Sequence, residues 1–228
     1  MLGTIVNVIA IIIGSIIGVL LKGKLPEKFQ KIVMQGISLA VILIGLQMAL
    51  GISESKDILI VIFSLVLGGI IGELLRIEER LDSIGNLLKQ RFSSDDSLFV
   101  EGFVQACLIY CVGAMAIMGA IQDGLNNDPS ILFTKALLDG TSSIAFAATF
   151  GIGVMFSALP VFIYQGAITL LASWIQQILN GPVIRELTAT GGLLILAIGL
   201  NILGVSKIKV GNLLPSLFVA VIIAMLVF

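Results

Sequence analysis

The chain has 228 residues, of which 58% are hydrophobic and 12% charged, with 13 Lys and Arg against 14 Asp and Glu and no histidine. This composition describes an integral membrane protein, and long uncharged runs interrupted by Gly point to helices rather than barrel strands. A net charge of −1 argues against nucleic acid as a partner, and the lack of histidine excludes Ser–His and zinc–His chemistry, leaving no cofactor or metal site expected.

The predicted class is all-α: one transmembrane domain over residues 1–228 with about eight spanning helices. The first, Leu2–Leu21, starts without a positive n-region and is followed by Lys22 and Lys24. It therefore reads as a spanning helix with its N-terminus outside, not as a cleaved signal. Its Gly14-x-x-x-Gly18 is a close-packing pattern, and Asn7 is its polar residue of note. The lysine-rich loop KGKLPEKFQK reads as cytoplasmic. The second span, Ile32–Ile52, places Gln47 in a buried position near its outer end, and SESKD is an outside loop.

The third span, Ile58–Leu75, carries Gly68-x-x-x-Gly72 and ends at Glu73 and Arg76. Residues 76–97 are charged and amphipathic, with Ile77, Leu81, Ile84, Leu87 and Leu88 at helical spacing, as in a helix lying on the cytoplasmic membrane surface. The fourth span, Leu98–Ile121, contains Gln105, Tyr110, Cys107 and Cys111. A disulfide within one helix is geometrically poor, so the cysteines read as packing residues. QDGLNNDPS follows as an outside loop.

No charge occurs from Gly140 to Ile184, a run long enough for two spans. Pro160 divides it into a fifth span ending near Leu159 and a sixth at Val161–Leu179. Arg185 and Glu186 fall in an outside loop, the seventh span is Leu187–Val205, Lys207 and Lys209 mark a cytoplasmic turn, and the eighth span is Val210–Phe228. Ten of the 13 basic residues then lie on the cytoplasmic side, which orients both termini outside the cytoplasmic membrane.

SLAVILIGLQMALGIS (38–53) can be laid on GLLILAIGLNILGVS (192–206), with Ile44-Gly45-Leu46-Gln47 matching Ile198-Gly199-Leu200-Asn201. The topology sets the two segments in opposite orientations. Spans 1–3 and 6–8 then form an inverted repeat, a transporter signature, with spans 4 and 5 between.

Asp139 is the acid set deepest in apolar sequence, where a carboxylate costs about 2.5–3.5 kcal/mol on insertion scales. One helix over residues 131–159 would be about 43 Å long, well beyond a hydrocarbon core of about 30 Å. Asp139-Gly140-Thr141-Ser142 has helix-cap chemistry, so a break there is expected and the fifth span reads as a discontinuous helix. In that reading Asp139, Thr141, Ser142 and Ser143 line a cavity. Two plainer readings stand beside it: Asp139 caps a helix near the interface, or it pairs with Lys135 one turn earlier. Asn7, Gln47, Gln105, Gln165 and Asn201 complete the candidate substrate- or ion-binding set, each equally explicable as an interhelical hydrogen bond.

The opening GTIVNVIAIIIGSIIG, with CVGAMAIMGAIQDGL (111–125), KALLDGTSSIAFAATFGIGVMFSALPV (135–161), YQGAITLLA (164–172) and TATGGLLILAIGLNILGVSKIKVGNLLP (188–215), resembles the YqgA/YdfK-like family of uncharacterised prokaryotic inner-membrane proteins. The resemblance covers essentially the whole chain. It implies a multi-spanning membrane protein and supplies no substrate.

The residues favour a non-enzymatic secondary transporter in the lipid bilayer, moving a small polar solute or ion with Na+ or H+ coupling. The alternatives are an ion channel, or a scaffold that docks a partner through residues 76–97. The GxxxG faces suit either a homodimer or packing within the subunit.

Overall fold

The computed structural model describes residues 1–22, 27–52, 54–91, 98–179 and 181–228. The elements among them are all helices: α1 (Leu2–Leu21), α2 (Glu27–Ala49), α3 (Ser55–Leu75), α4 (Ile77–Arg91), α5 (Phe99–Cys111), α6 (Ala114–Asn126), α7 (Ser130–Phe150), α8 (Gly153–Phe156), α9 (Ala158–Leu170), α10 (Ala172–Ile178), α11 (Gly181–Leu203), α12 (Val210–Leu213) and α13 (Pro215–Val227). Six helical stretches among the described residues are long and apolar enough to cross a membrane, and the bent pair α5–α6 raises the number to seven. The apolar part of α2, Met34–Ala49, is shorter. The protein is therefore a multi-pass membrane protein.

Its helices are organised for lipid. On α1 the large residues Leu2, Ile5, Ile9 and Ile13 are exposed, whereas Gly3, Thr4, Asn7, Gly14, Ser15 and Gly18 are buried. Lipid tails offer apolar side chains as good an environment as the protein does, so small and polar residues turn inward, where they permit close backbones and hydrogen bonds.

Several boundaries differ from those expected. The helix does not break at Asp139: α7 runs unbroken through Asp139–Ser143, and Ser142 and Thr141 bond back to carbonyls of their own helix instead of capping a new one. The break comes at Gly151, whose φ of 82° suits a residue without Cβ. Helix length requires an interruption, and glycine sets its place. Pro160 does not divide two spans, because it sits in the first turn of α9, where its missing N–H costs nothing. The fourth predicted span is bent by 58° between α5 and α6. Residues 23–26 of the first predicted loop and 92–97 of the amphipathic segment lie outside the described residues.

The chain forms two compact units, each drawing on both halves of the sequence. The first contains Met1–Met34, Asp82–Cys111 and Met115–Ile175. Here α1 and α7 run parallel in their most extensive packing: Gly3 meets Leu132, Gly14 meets the Gly140 carbonyl, and Gly18 meets the Ile144 carbonyl. α5 and α6 run antiparallel along α7, from Gly102 against Phe150 to Gly119 against Leu132. α9 is antiparallel to α1, with Gln165 beside Asn7 and Thr169 beside Thr4. Buried Asp123 of α6, expected in an outside loop, accepts the Gly3 N–H at 3.1 Å.

The second unit contains Gln35–Leu81, Val112–Ala114 and Gln176–Phe228. α3 is antiparallel to α12 and α13, with Gly72 against the Asn212 carbonyl and Gly68 against the Ser216 backbone. α2 is antiparallel to α11: Gly45 meets the backbone of Gly192 and Leu196, and Gly199 meets that of Ser38 and Ile42. At one end Glu78 accepts the Gly211 N–H at 2.6 Å, while Asn212 accepts the Glu78 N–H at 2.7 Å and donates to Glu73 at 2.6 Å. Glu73 also receives Lys209 at 2.9 Å, and this hydrogen bond holds the ammonium above its ordinary pKa range. Both GxxxG faces are occupied inside the chain, which removes the observation on which a homodimer was expected.

Candidate functional site

The first unit gathers polar side chains at mid-helix depth. Asp139 is nine residues into α7, about 13 Å along it at 1.5 Å per residue, and is buried where α7 packs on α1 and α5. Close approach of α1 to α7 brings the two polar positions together, since Gly14 and Gly140 leave no side chain between the backbones.

Asp139 forms a buried ion pair with Lys135, one turn earlier on the same face of α7. The same carboxylate oxygen accepts a hydrogen bond from Asn7 Nδ2 at 3.0 Å, and that amide also lies 3.2 Å from Gln165 Oε1. Asn7 and Gln165 are fully buried. Tyr110 of α5 and Ser143 of α7 close another side, their hydroxyls 2.8 Å apart, with the Lys135 ammonium 5.9 Å from the Tyr110 ring centre. Below them Thr4 and Thr169 stand 3.5 Å apart, and Thr169 donates back to the Gln165 carbonyl. Asn7 Oδ1 and Gln165 Nε2 have no hydrogen-bond partner, so an acceptor and a donor remain free inside the cluster.

The structure thus brings together Asp139, Ser143, Asn7 and Gln165, sets Ser142 at the edge beside the Tyr110 hydroxyl, and leaves the other candidates apart. Thr141 is exposed, and Ser142 is half-buried with its hydroxyl on the Asp139 carbonyl. Gln105 receives no partner at Oε1 and donates to Glu101 at 3.0 Å on its own helix. Gln47, expected to be buried, is exposed. Asn201 acts locally, donating to the Ile208 carbonyl and accepting from Ser206 and the Ile208 N–H, which ties the turn after α11. Cys107 and Cys111 are free thiols.

Lys135 belongs to the cluster, and its spacing to Asp139 is the signal that locates it. Tyr110 carries no such signal, because nothing local to α5 says that it meets Ser143. Asp139 is also not alone as a buried acid. Asp57 and Glu186 in the second unit are 1% and 0% exposed, although hydropathy puts both in outside loops. α3 begins at Ser55 and α11 at Gly181, so both acids lie within helices that start earlier than hydropathy suggests.

Comparison with known proteins agrees with this membrane architecture. The chain is 38% identical over 220 residues to the uncharacterised membrane protein YdfK of Bacillus subtilis (strain 168), covering 96% of this chain and 93% of that one. It is 29% identical over 224 residues to the uncharacterised protein YqgA of Escherichia coli (strain K12), covering 96% and 94%. No solved structure matches it. A model of the family described as protein of unknown function DUF554 matches residues 2–225, and the chain belongs to that family.

Proposed function

We propose that this protein is a secondary transporter whose first unit binds a small polar solute at Asn7, Lys135, Asp139 and Gln165. The observation that carries this reading is the free acceptor and free donor on two fully buried amides, Asn7 Oδ1 and Gln165 Nε2. Buried polar groups in proteins are as a rule satisfied, so an unpaired donor and acceptor on neighbouring amides suit a ligand that supplies both. Lys135 neutralises Asp139, so the cluster favours a neutral or zwitterionic solute over a bare cation.

The test is a thermal-shift screen of purified protein against amino acids, amines, sugars and polyols, with and without sodium and at two pH values. A saturating ligand should raise the wild-type Tm by about 5 °C and leave Gln165→Leu unmoved. A solute that stabilises both proteins alike would remove the site, and counterflow in proteoliposomes separates a carrier from a channel.

Helix directions support eight crossings in this reading. Antiparallel α3 and α13 need an even number of crossings between them, which is met when α5–α6 counts as a span. Parallel α1 and α7 then need α2 as a span too. An inverted repeat is supported by the antiparallel packing of each matched pair: α1 on α9, α2 on α11 and α3 on α13. The α2–α11 contact is reciprocal, for Gly45 meets Leu196 and its counterpart Gly199 meets Ile42. In such a molecule the two halves exchange conformations to alternate access. Cysteines substituted at Ser55 and Ser206 should be labelled from opposite membrane faces; labelling of both from one face would eliminate the repeat.

A further inference from the structure

We propose that the second unit carries a separate site, formed by Asp57 and Glu186, that binds one monovalent cation, a proton or a sodium ion. Asp57 lies in the first turn of α3 and Glu186 in the second turn of α11, both fully or almost fully buried. Arg185 is the cation they share: its guanidinium is 3.4 Å from Asp57, and its Nε is 3.7 Å from Glu186. Two carboxylates against one guanidinium leave one negative charge in excess.

The other charged groups nearby do not balance it. Lys56 is paired with Glu54 at 3.1 Å and lies 4.5 Å from the Phe228 ring centre, and Arg185 contacts the same ring at 5.7 Å. Val227 and the rest of α13 back to Pro215 bring no charged side chain, and the end of α2 from Met34 to Ala49 brings none either. Arg185 is 39% exposed in its side chain, so one edge of the group reaches the surroundings.

Two independent observations point to a ligand. Neither Glu186 oxygen accepts a hydrogen bond, although the residue is 0% exposed. Thr190, one turn further along the same face of α11, is also 0% exposed, and its hydroxyl has no partner. Two buried carboxylates that share one guanidinium and lack further hydrogen-bond donors keep one uncompensated charge, which a cation or a proton balances, and carboxylate and hydroxyl oxygens are hard ligands of the kind alkali cations take. The site is independent of the solute cluster, and its test reads ion binding rather than uptake.

The full-length protein in detergent is melted at constant ionic strength, first with sodium chloride replacing choline chloride and then across a pH series from about 8.5 to about 6. Wild type should gain about 5 °C in Tm from sodium or from protons. Glu186→Gln and Asp57→Asn, which imitate the neutralised site, should fold and lose more than half of that gain. A sodium response identifies the metal ion, and a pH response alone identifies the proton. Absence of both responses in wild type overturns the site, as does an undiminished response in whichever variant folds. Failure of both variants to fold also overturns it, because a site that is neutral when loaded tolerates neutralisation.

Discussion

Lys135→Met should destabilise the purified protein by about 3–5 kcal/mol, a fall in Tm of about 10 °C. The substitution leaves Asp139 buried in the first unit with the Asn7 amide as its remaining side-chain donor, and a buried charge without its counter-ion is among the most costly arrangements in a protein. Asp139→Leu should cost a similar amount for the converse reason, since it strands the ammonium. The double variant should recover most of the loss, because two apolar side chains of similar volume replace a buried pair at little net cost. Melting curves for the four proteins in one detergent decide the matter. If the single variants melt like wild type, Lys135 and Asp139 are solvated, and the cluster is not a closed polar site.

Gly14→Val should separate α1 from α7 and remove most folded protein, with Gly14→Ala already costing about 1–3 kcal/mol. Any Cβ at residue 14 would overlap the Gly140 carbonyl, which belongs to the backbone of α7 and has no rotamer by which to move away. The same displacement would draw Asn7 from Asp139, linking the packing defect to the polar cluster. Gly36→Ala on α2 is the matched control: nothing lies within 4 Å of its Cβ, and alanine is the better helix former. Equal melting of Gly14→Ala and Gly36→Ala would mean that the α1–α7 approach is looser than the structure has it.

Gly14 and Gln47 differ in how far their surroundings can be read from sequence. A GxxxG spacing reports a face that admits another backbone, whatever that backbone is, so its close packing is legible although its partner α7 is not. The cost of polar groups in lipid predicts an interior place for Gln47, yet it is exposed near the end of α2, where side chains can reach the polar interface. Asn201 matches Gln47 by position, and the structure gives it turn-forming bonds that depend on Ser206 and Ile208 following it.

Composition and run length alone determined that this is a helical multi-pass membrane protein, because insertion into about 30 Å of hydrocarbon depends on local apolar length and little else. The spacing of Lys135 and Asp139 likewise contained their ion pair, as residues four apart share a helix face. Only the tertiary structure decided which acids are buried, where α7 ends, and which amides meet Asp139. Asp57 and Arg185, 128 residues apart, converge from different helices, and Asn7 meets Asp139 across a 132-residue separation. No local pattern encodes such meetings, since each joins side chains on helices far apart in the sequence that only tertiary packing brings together.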